Sequence, residues 1–145
     1  MVNTVNQISV FCENRPGQLA KLTAYLSESE VNMRAFSVAE TRDFGVVRMI
    51  VDDPYKAARA LKDADYVVSV TPVLAIEIPD EPGGLLKVLN VLAGEGVNIA
   101  YTYAFLSKKK ESAYVIFRVD DNESVADILY RNDLHVIDQD SLMNL

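Results

Sequence analysis

Pro16-Gly17-Gln18-Leu19 and, 66 residues further on, Pro82-Gly83-Gly84-Leu85 are the same short phrase, and each leads to a second shared one, Val31-Asn32-Met33 and Val97-Asn98-Ile99. Pro16, Gly17, Leu19, Lys21, Leu26, Val31 and Asn32 are each identical to the residue 66 positions later. A period of this length marks two copies of one supersecondary unit. Any function has to account for the duplication.

Around each phrase the hydrophobic spacing alternates between strand and helix periods. In the first copy Ile8, Val10 and Cys12 recur with a period of two, which predicts a half-buried strand. Asn14-Arg15-Pro16-Gly17 ends it, and proline suits the first turn of a helix, where its missing N–H would go unpaired anyway. Leu19, Leu22, Thr23 and Leu26 then predict a helix from about 17 to 29. Strand signals follow at 31–39 and at Val46 to Val51, separated by Arg42-Asp43-Phe44-Gly45. A helix from Pro54 carries Ala57, Ala58 and Leu61, and a strand at Tyr66 to Val70 closes the unit.

The second copy repeats the order: strand 73–78, helix 83–94, strands 97–106 and 113–119, helix 123–131 and strand 135–138. Ser107 to Glu111 makes its central hairpin about two residues longer. The fold class is therefore α+β, with two ferredoxin-like βαββαβ repeats over 1–72 and 73–145. Each repeat is expected to form an antiparallel sheet in spatial order 4-1-3-2 with both helices on one face. Tyr101, Tyr103 and Phe105 share a face of their strand, and core packing under the helices is expected for them ahead of a ligand-lining role.

Val70-Thr71-Pro72-Val73 passes from one copy to the next with no flexible segment. Residues 70–74 reach about 14 Å at most. A side-by-side pair in which the second strands meet would need roughly 29 Å between the closing strand of one copy and the opening strand of the next. Two arrangements stay open. Thr71-Pro72 turns a hairpin and the copies exchange their closing strands, or two self-contained domains dock in some other way.

Composition narrows the classes of function. Half of the 145 residues are apolar and 24% are charged, as in ordinary globular proteins. No apolar run approaches the length of a bilayer span. No signal peptide is recognised, and the single Cys12 cannot form an internal disulfide, so a cytoplasmic location is expected. The net charge of −7 is unevenly placed, with 8 basic and 9 acidic residues in 1–72 against 6 and 12 in 73–145. Neither nucleic acid nor membrane is an expected partner. Lys108-Lys109-Lys110 reads as a solvated hairpin tip.

Catalytic chemistry finds few residues to use. His135 is the only histidine, beside Val136 and Ile137, and reads as structural or exposed. Cys12 reads as core. No zinc set or Cys/His arrangement is recognisable, and no metal or cofactor is expected. Asp52-Asp53 and Asp120-Asp121 each precede a helix, where aspartate caps free N–H groups. The strand-to-helix turns are the better candidates. At Asn14 to Leu19 and at Asp80 to Leu85 a helix N-terminus presents unpaired N–H groups beside glycine, an arrangement suited to a carboxylate, although Pro-Gly also serves as a plain tight turn. Asn32 and Asn98 stand at the start of the second strand in both copies, where asparagine is a poor strand former but offers a donor and an acceptor.

Strand, Pro-Gly-x-Leu, helix, Val-Asn-Ile and strand, twice over nearly the whole chain, resemble the ACT domain, a small ligand-binding module attached to feedback-regulated enzymes of amino-acid metabolism. Gly94 to Ile99, Tyr101 to Phe105 and Val115 to Arg118 resemble in particular the stand-alone tandem ACT proteins, which carry no catalytic domain. The resemblance implies a non-enzymatic regulatory protein that binds a free amino acid between two domains. The strand-to-helix loop of one domain and the second strand of the other would hold the ligand. On this chain that implies Asn14, Arg15, Pro16, Gly17, Gln18 and Leu19 with Asn32 and Met33, and Asp80, Glu81, Pro82, Gly83, Gly84 and Leu85 with Asn98 and Ile99. Asn14-Arg15 against Asp80-Glu81 makes the two corners differ by three charge units, so they need not bind alike. A homo-oligomer or a metabolic enzyme is the implied partner. The alternative is a regulatory small subunit of a multimeric biosynthetic enzyme such as acetolactate synthase.

Overall fold

The computed structural model describes residues 3–40, 42–105 and 111–144. It contains two compact units, one of residues 6–71 and one of residues 72–144 with 3–5. Lys108-Lys109-Lys110 and most of the second hairpin tip lie outside the described residues.

In the first unit, β1 (Val5–Glu13) runs antiparallel to β3 (Phe44–Val51), and β3 to β2 (Met33–Glu40). The remaining neighbour of β1 is β4 (Val68–Pro79), of which Val68 to Thr71 belong to this unit. The order is β2-β3-β1-β4, as the βαββαβ pattern requires. Helices α1 (Gln18–Glu28) and α2 (Pro54–Asp63) cover one face. Alternate strand residues Ile8, Val10, Cys12, Val47, Met49 and Val51 point toward them and meet Leu22 and Leu26 of α1 and Ala57, Ala58 and Leu61 of α2. Apolar burial of this kind, at roughly 25 cal/mol per Å², is what holds helix to sheet.

The second unit repeats the plan with α3 (Gly84–Gly94), β5 (Tyr101–Phe105), β6 (Ser112–Arg118), α4 (Asn122–Arg131) and β7 (His135–Ile137). Here the later part of β4 pairs with β6 on one side and β7 on the other. Leu74, Ile76, Ile78, Val115, Phe117 and Val119 meet Val88 and Leu92 of α3 and Val125, Ile128 and Leu129 of α4. Equivalent residues stand 66 apart before the hairpin, as with Gly17 and Gly83, and 68 apart after it, as with Asp53 and Asp121. That difference is the two-residue extension.

Strand exchange does not occur. The Phe11 N–H donates to the Val67 carbonyl at 3.2 Å, so the closing segment of the first copy lies on its own β1. Likewise Ala75, Ile76 and Glu77 pair with Ile137, Val136 and His135 of their own copy. Thr71-Pro72 makes no hairpin turn either; both residues lie inside β4. Proline's fixed φ is compatible with extended chain, and all it removes is one donor. The Pro72 carbonyl accepts from Asn122 Nδ2 at 3.0 Å.

Two further features depart from expectation. Tyr101, Tyr103 and Phe105 oppose Arg118, Ile116 and Tyr114, whereas the core residues of β6 are Val115 and Phe117. The aromatic row therefore occupies the sheet face away from α3 and α4. There Tyr101 stacks on Tyr103 at 6.4 Å and Phe105 lies 5.1 Å from Tyr114. A short helix, α5 (Gln139–Met143), follows β7, capped by Asp138 and anchored by the fully buried Leu142.

Candidate functional site

Each repeat places a sharp corner between its first strand and first helix, built in the same way twice. At the first, the Asn14 N–H donates to the Asp43 carbonyl (3.1 Å), the Gln18 N–H to Arg15 (3.2 Å) and the Lys21 N–H to Gly17 (3.0 Å). At the second, Asp80 donates to Glu111 (3.0 Å), Gly84 to Glu81 (3.1 Å) and Lys87 to Gly83 (3.0 Å). Gly17 and Gly83 take φ values of +83° and +88°, the left-handed region that glycine enters without cost. They occupy the N-cap position, so neither helix has a side-chain cap. The N–H groups of Leu19 and Ala20, and of Leu85 and Leu86, have no hydrogen-bond partner among the described residues. A Cβ added to Gly17 or Gly83 would meet nothing within 4 Å. Both corners are open to a ligand and carry the positive end of a helix.

The corners differ in electrostatics and in closeness of packing. Arg15 forms an ion pair with Glu13, leaving the first corner near neutrality. Asp80 and Glu81 are both exposed at the second and give it a negative field that opposes a carboxylate. Gly84, unlike its counterpart Gln18, has no room for a side chain, because a Cβ there would lie 2.2 Å from the Pro79 carbonyl oxygen. Packing against β4 thus explains that glycine. Pro16 and Pro82 are exposed and set the turn.

Asn32 and Met33 are not neighbours of the corner in their own copy. Gly17 stands at the N-terminus of α1 and Asn32 beyond its C-terminus, with eleven helical residues between them, a length of about 16 Å. Asn32 has a structural task as well. Its N–H donates to the Asp52 carboxylate and its carbonyl accepts the Asp52 N–H, both at 3.0 Å. Asn98 is exposed and Ile99 half-buried at the corresponding place beyond α3. A groove of about 610 Å³ runs beside α1 from Ala20 to Asn32 and Met33. A single copy does not gather its corner and its Asn32 or Asn98 into one site.

Asp53, Asp121 and Cys12, considered for catalysis, have structural roles. Asp53 accepts the Lys56 N–H and Asp121 the Ser124 N–H, each at 3.1 Å, as helix caps. Cys12 is buried in the first core, and burial, with Glu13 beside it, pushes its thiol pKa up and leaves it protonated. His135 is exposed at the rim of a hollow of about 780 Å³ beside α4, with Asp121, Glu123 and Asp127 in the same wall. Among the described residues no three His, Cys, Asp or Glu side chains form a metal-binding group, and no helix is long and apolar enough to cross a membrane.

Comparison with known proteins agrees with this architecture. The family described as an ACT domain pair matches residues 3–145. The crystal structure of protein BT0572 from Bacteroides thetaiotaomicron is similar over 99% of both chains, with 36% sequence identity and a TM-score of 0.91. The regulatory subunit of aspartate kinase from Thermus thermophilus shares the fold over 90% of this chain and 93% of its own, at 17% identity and a TM-score of 0.65. Its counterpart from Thermus flavus does so with the same coverage at 15% identity and 0.61. No curated protein matches the sequence.

Proposed function

We propose that this chain, which belongs to the ACT domain family as a pair of such domains, is a regulatory protein that binds a free amino acid. The observation that carries the reading is the uncapped helix N-terminus at Gly17, where the N–H groups of the exposed Leu19 and Ala20 have no partner among the described residues and a Cβ on Gly17 would meet nothing within 4 Å. An α-carboxylate satisfies such donors and gains from the helix dipole. The corner at Asn14 to Leu19 is the stronger site, because Asp80 and Glu81 repel an anion at the other. Binding acts on function only through a difference in affinity between two states, so the ligand favours one association state or one partner complex over another. The partner is a second copy of the chain or an enzyme of amino-acid metabolism.

A thermal-shift screen against the twenty amino acids tests the reading. A ligand at a hundred times its Kd adds about 2.7 kcal/mol, or about 5–10 °C in Tm for a chain of this size. Gly17→Asn and Gly17→Asp then locate the site. Both residues tolerate positive φ, so they share a backbone and differ in one charge. The Asn variant should keep a measurable shift and the Asp variant should lose it. No shift with any amino acid, or equal shifts in the two variants, would overturn the assignment.

A further inference from the structure

The outward stripe of the second helix has changed sign between the two repeats. In α2, Tyr55, Arg59 and Lys62 stand at i, i+4 and i+7 on one helical face and are exposed, Tyr55 by 71%. The equivalent positions in α4, 68 residues later, hold Glu123, Asp127 and Tyr130, again exposed, Tyr130 by 80%. Two cations and a tyrosine in one copy thus correspond to two carboxylates and a tyrosine in the other. The buried faces of both helices stay apolar, so the change is confined to the surface that meets solvent.

The tyrosines also trade ends: Tyr55 opens its stripe and Tyr130 closes the other. Laid antiparallel, the stripes set Tyr55 against Tyr130, Arg59 against Asp127 and Lys62 against Glu123, each to within one residue over about two helical turns. Laid parallel, they keep only the Arg59–Asp127 ion pair and set Tyr55 against Glu123 and Lys62 against Tyr130. Helix α2 on α2 would gather cations, and α4 on α4 would gather carboxylates. One orientation of the two unlike helices pairs every charge.

The acidic side has the shape of a receptor. Glu123, Asp127 and Tyr130 border the hollow beside α4, whose lining includes Leu134 and Val136. Arginine and lysine can lay their aliphatic stems on such apolar residues and carry their charge to the carboxylates. Asp127 already pairs with Arg131 at 3.3 Å, but both side chains are more than half exposed, so that pair is worth little and does not bar a second cation.

We infer that α2 of one copy of this chain docks antiparallel on α4 of a second copy, with Arg59 and Lys62 against Asp127 and Glu123 and the two tyrosines in contact at one end. The ion pairs fix orientation and register, and the tyrosine rings supply the apolar burial. The contact is weak and salt-sensitive, because its charges are solvated before it forms. It joins unlike faces and every copy carries one of each, so copies add until a ring closes, a dimer being the smallest. None of these residues belongs to the corners at Asn14–Leu19 or Asp80–Leu85, and the inference does not rest on amino-acid binding.

Sedimentation velocity of the full chain at low salt tests the contact with two charge-reversed proteins, Arg59→Glu/Lys62→Glu and Glu123→Lys/Asp127→Lys. Each alone opposes like charges and should self-associate at least about tenfold more weakly than wild type. Their equimolar mixture sets reversed face on reversed face and intact face on intact face, and should return to within about threefold of wild type. Circular dichroism melts check that both proteins are folded. A short bismaleimide should join an Arg59→Cys chain to an Asp127→Cys chain and neither to its own kind, Cys12 being buried. A wild type monomeric at about 100 µM, reversed proteins that associate like wild type, a mixture no stronger than its components, or no mixed crosslink would overturn the inference.

Discussion

Replacing Gly84 with alanine should destabilise the second unit by about 1–3 kcal/mol, even though alanine is the better helix former. A Cβ at that position would lie 2.2 Å from the Pro79 oxygen and 3.3 Å from its carbonyl carbon. Relief requires roughly 1 Å of movement between the start of α3 and the end of β4. The obstacle is backbone, held on both sides: the Pro79 oxygen accepts the Glu81 N–H at 3.0 Å, and Pro79 pairs with Ser112 of β6. Overpacking of this kind costs about 1–3 kcal/mol, and a hydrogen bond lost in the shift adds about 1. The gain in helix propensity returns at most about 1 kcal/mol. Two other glycines calibrate the result. Gly83→Ala meets nothing within 4 Å but takes a positive φ, so it should cost about 1–2 kcal/mol. Gly94→Ala, in open space at the end of α3, should stabilise by about 0.4–1 kcal/mol. Urea unfolding followed by circular dichroism should rank the proteins Gly94→Ala, wild type, Gly83→Ala, Gly84→Ala in falling midpoint. At an m-value of about 2 kcal/mol/M, Gly84→Ala lies roughly 1 M below wild type. A Gly84→Ala midpoint at or above that of Gly83→Ala would refute the close approach of α3 to β4.

Other expectations follow from single interactions. Asp121→Ala removes the acceptor for the Ser124 N–H and should cost about 1 kcal/mol in urea unfolding, whereas Asp121→Asn should recover most of it. The Asp138 carboxyl is held below its ordinary pKa, chiefly by the Ser141 N–H and then by the Ser141 side chain. Its contribution to seating α5 is therefore complete above the unfolded-state pKa and lost as pH falls through the lower folded value. Amide exchange at Ser141 should slow as pH rises into that range, after correction for intrinsic rates, and Asp138→Asn should flatten the profile. Cys12, buried with a raised thiol pKa, should resist a thiol reagent at neutral pH and react fully on addition of urea; fast native reaction would contradict its place in the core.

Much of the fold could be read because helix and strand periods differ. Of the residues whose spacing marks the first helix, Leu22 and Leu26 are buried, while Leu19 at its start is exposed. What periodicity cannot supply is the choice of face. Period two puts Tyr101, Tyr103 and Phe105 on one side of β5 but does not say which, and only the register with β6 turns them away from the helices. The joined strand at Thr71-Pro72 escaped for a related reason. A proline between two strand patterns reads as a turn, yet its fixed φ is equally that of an extended chain. Helix α5 is too short for its spacing to register. At the corners, the need for Gly17 and Gly83 was legible from Pro-Gly at a strand-to-helix junction. The cause of Gly84 was not, since it depends on how near the Pro79 carbonyl comes. The separation of Asn32 from its own corner follows from the helix between them, about 16 Å long, and shared position in two repeats says nothing of proximity.

The central claim is that helix N-termini in this chain receive an amino acid's carboxylate. Amide chemical shifts of the full chain, recorded during titration with the amino acid that raises its Tm most, test it directly. Saturable shifts should be largest at Leu19 and Ala20, whose N–H groups lack partners, and weaker or absent at Leu85 and Leu86 beside Asp80 and Glu81. Shifts that leave Leu19 and Ala20 unmoved while others saturate, or no shift with any of the twenty amino acids, would contradict the account.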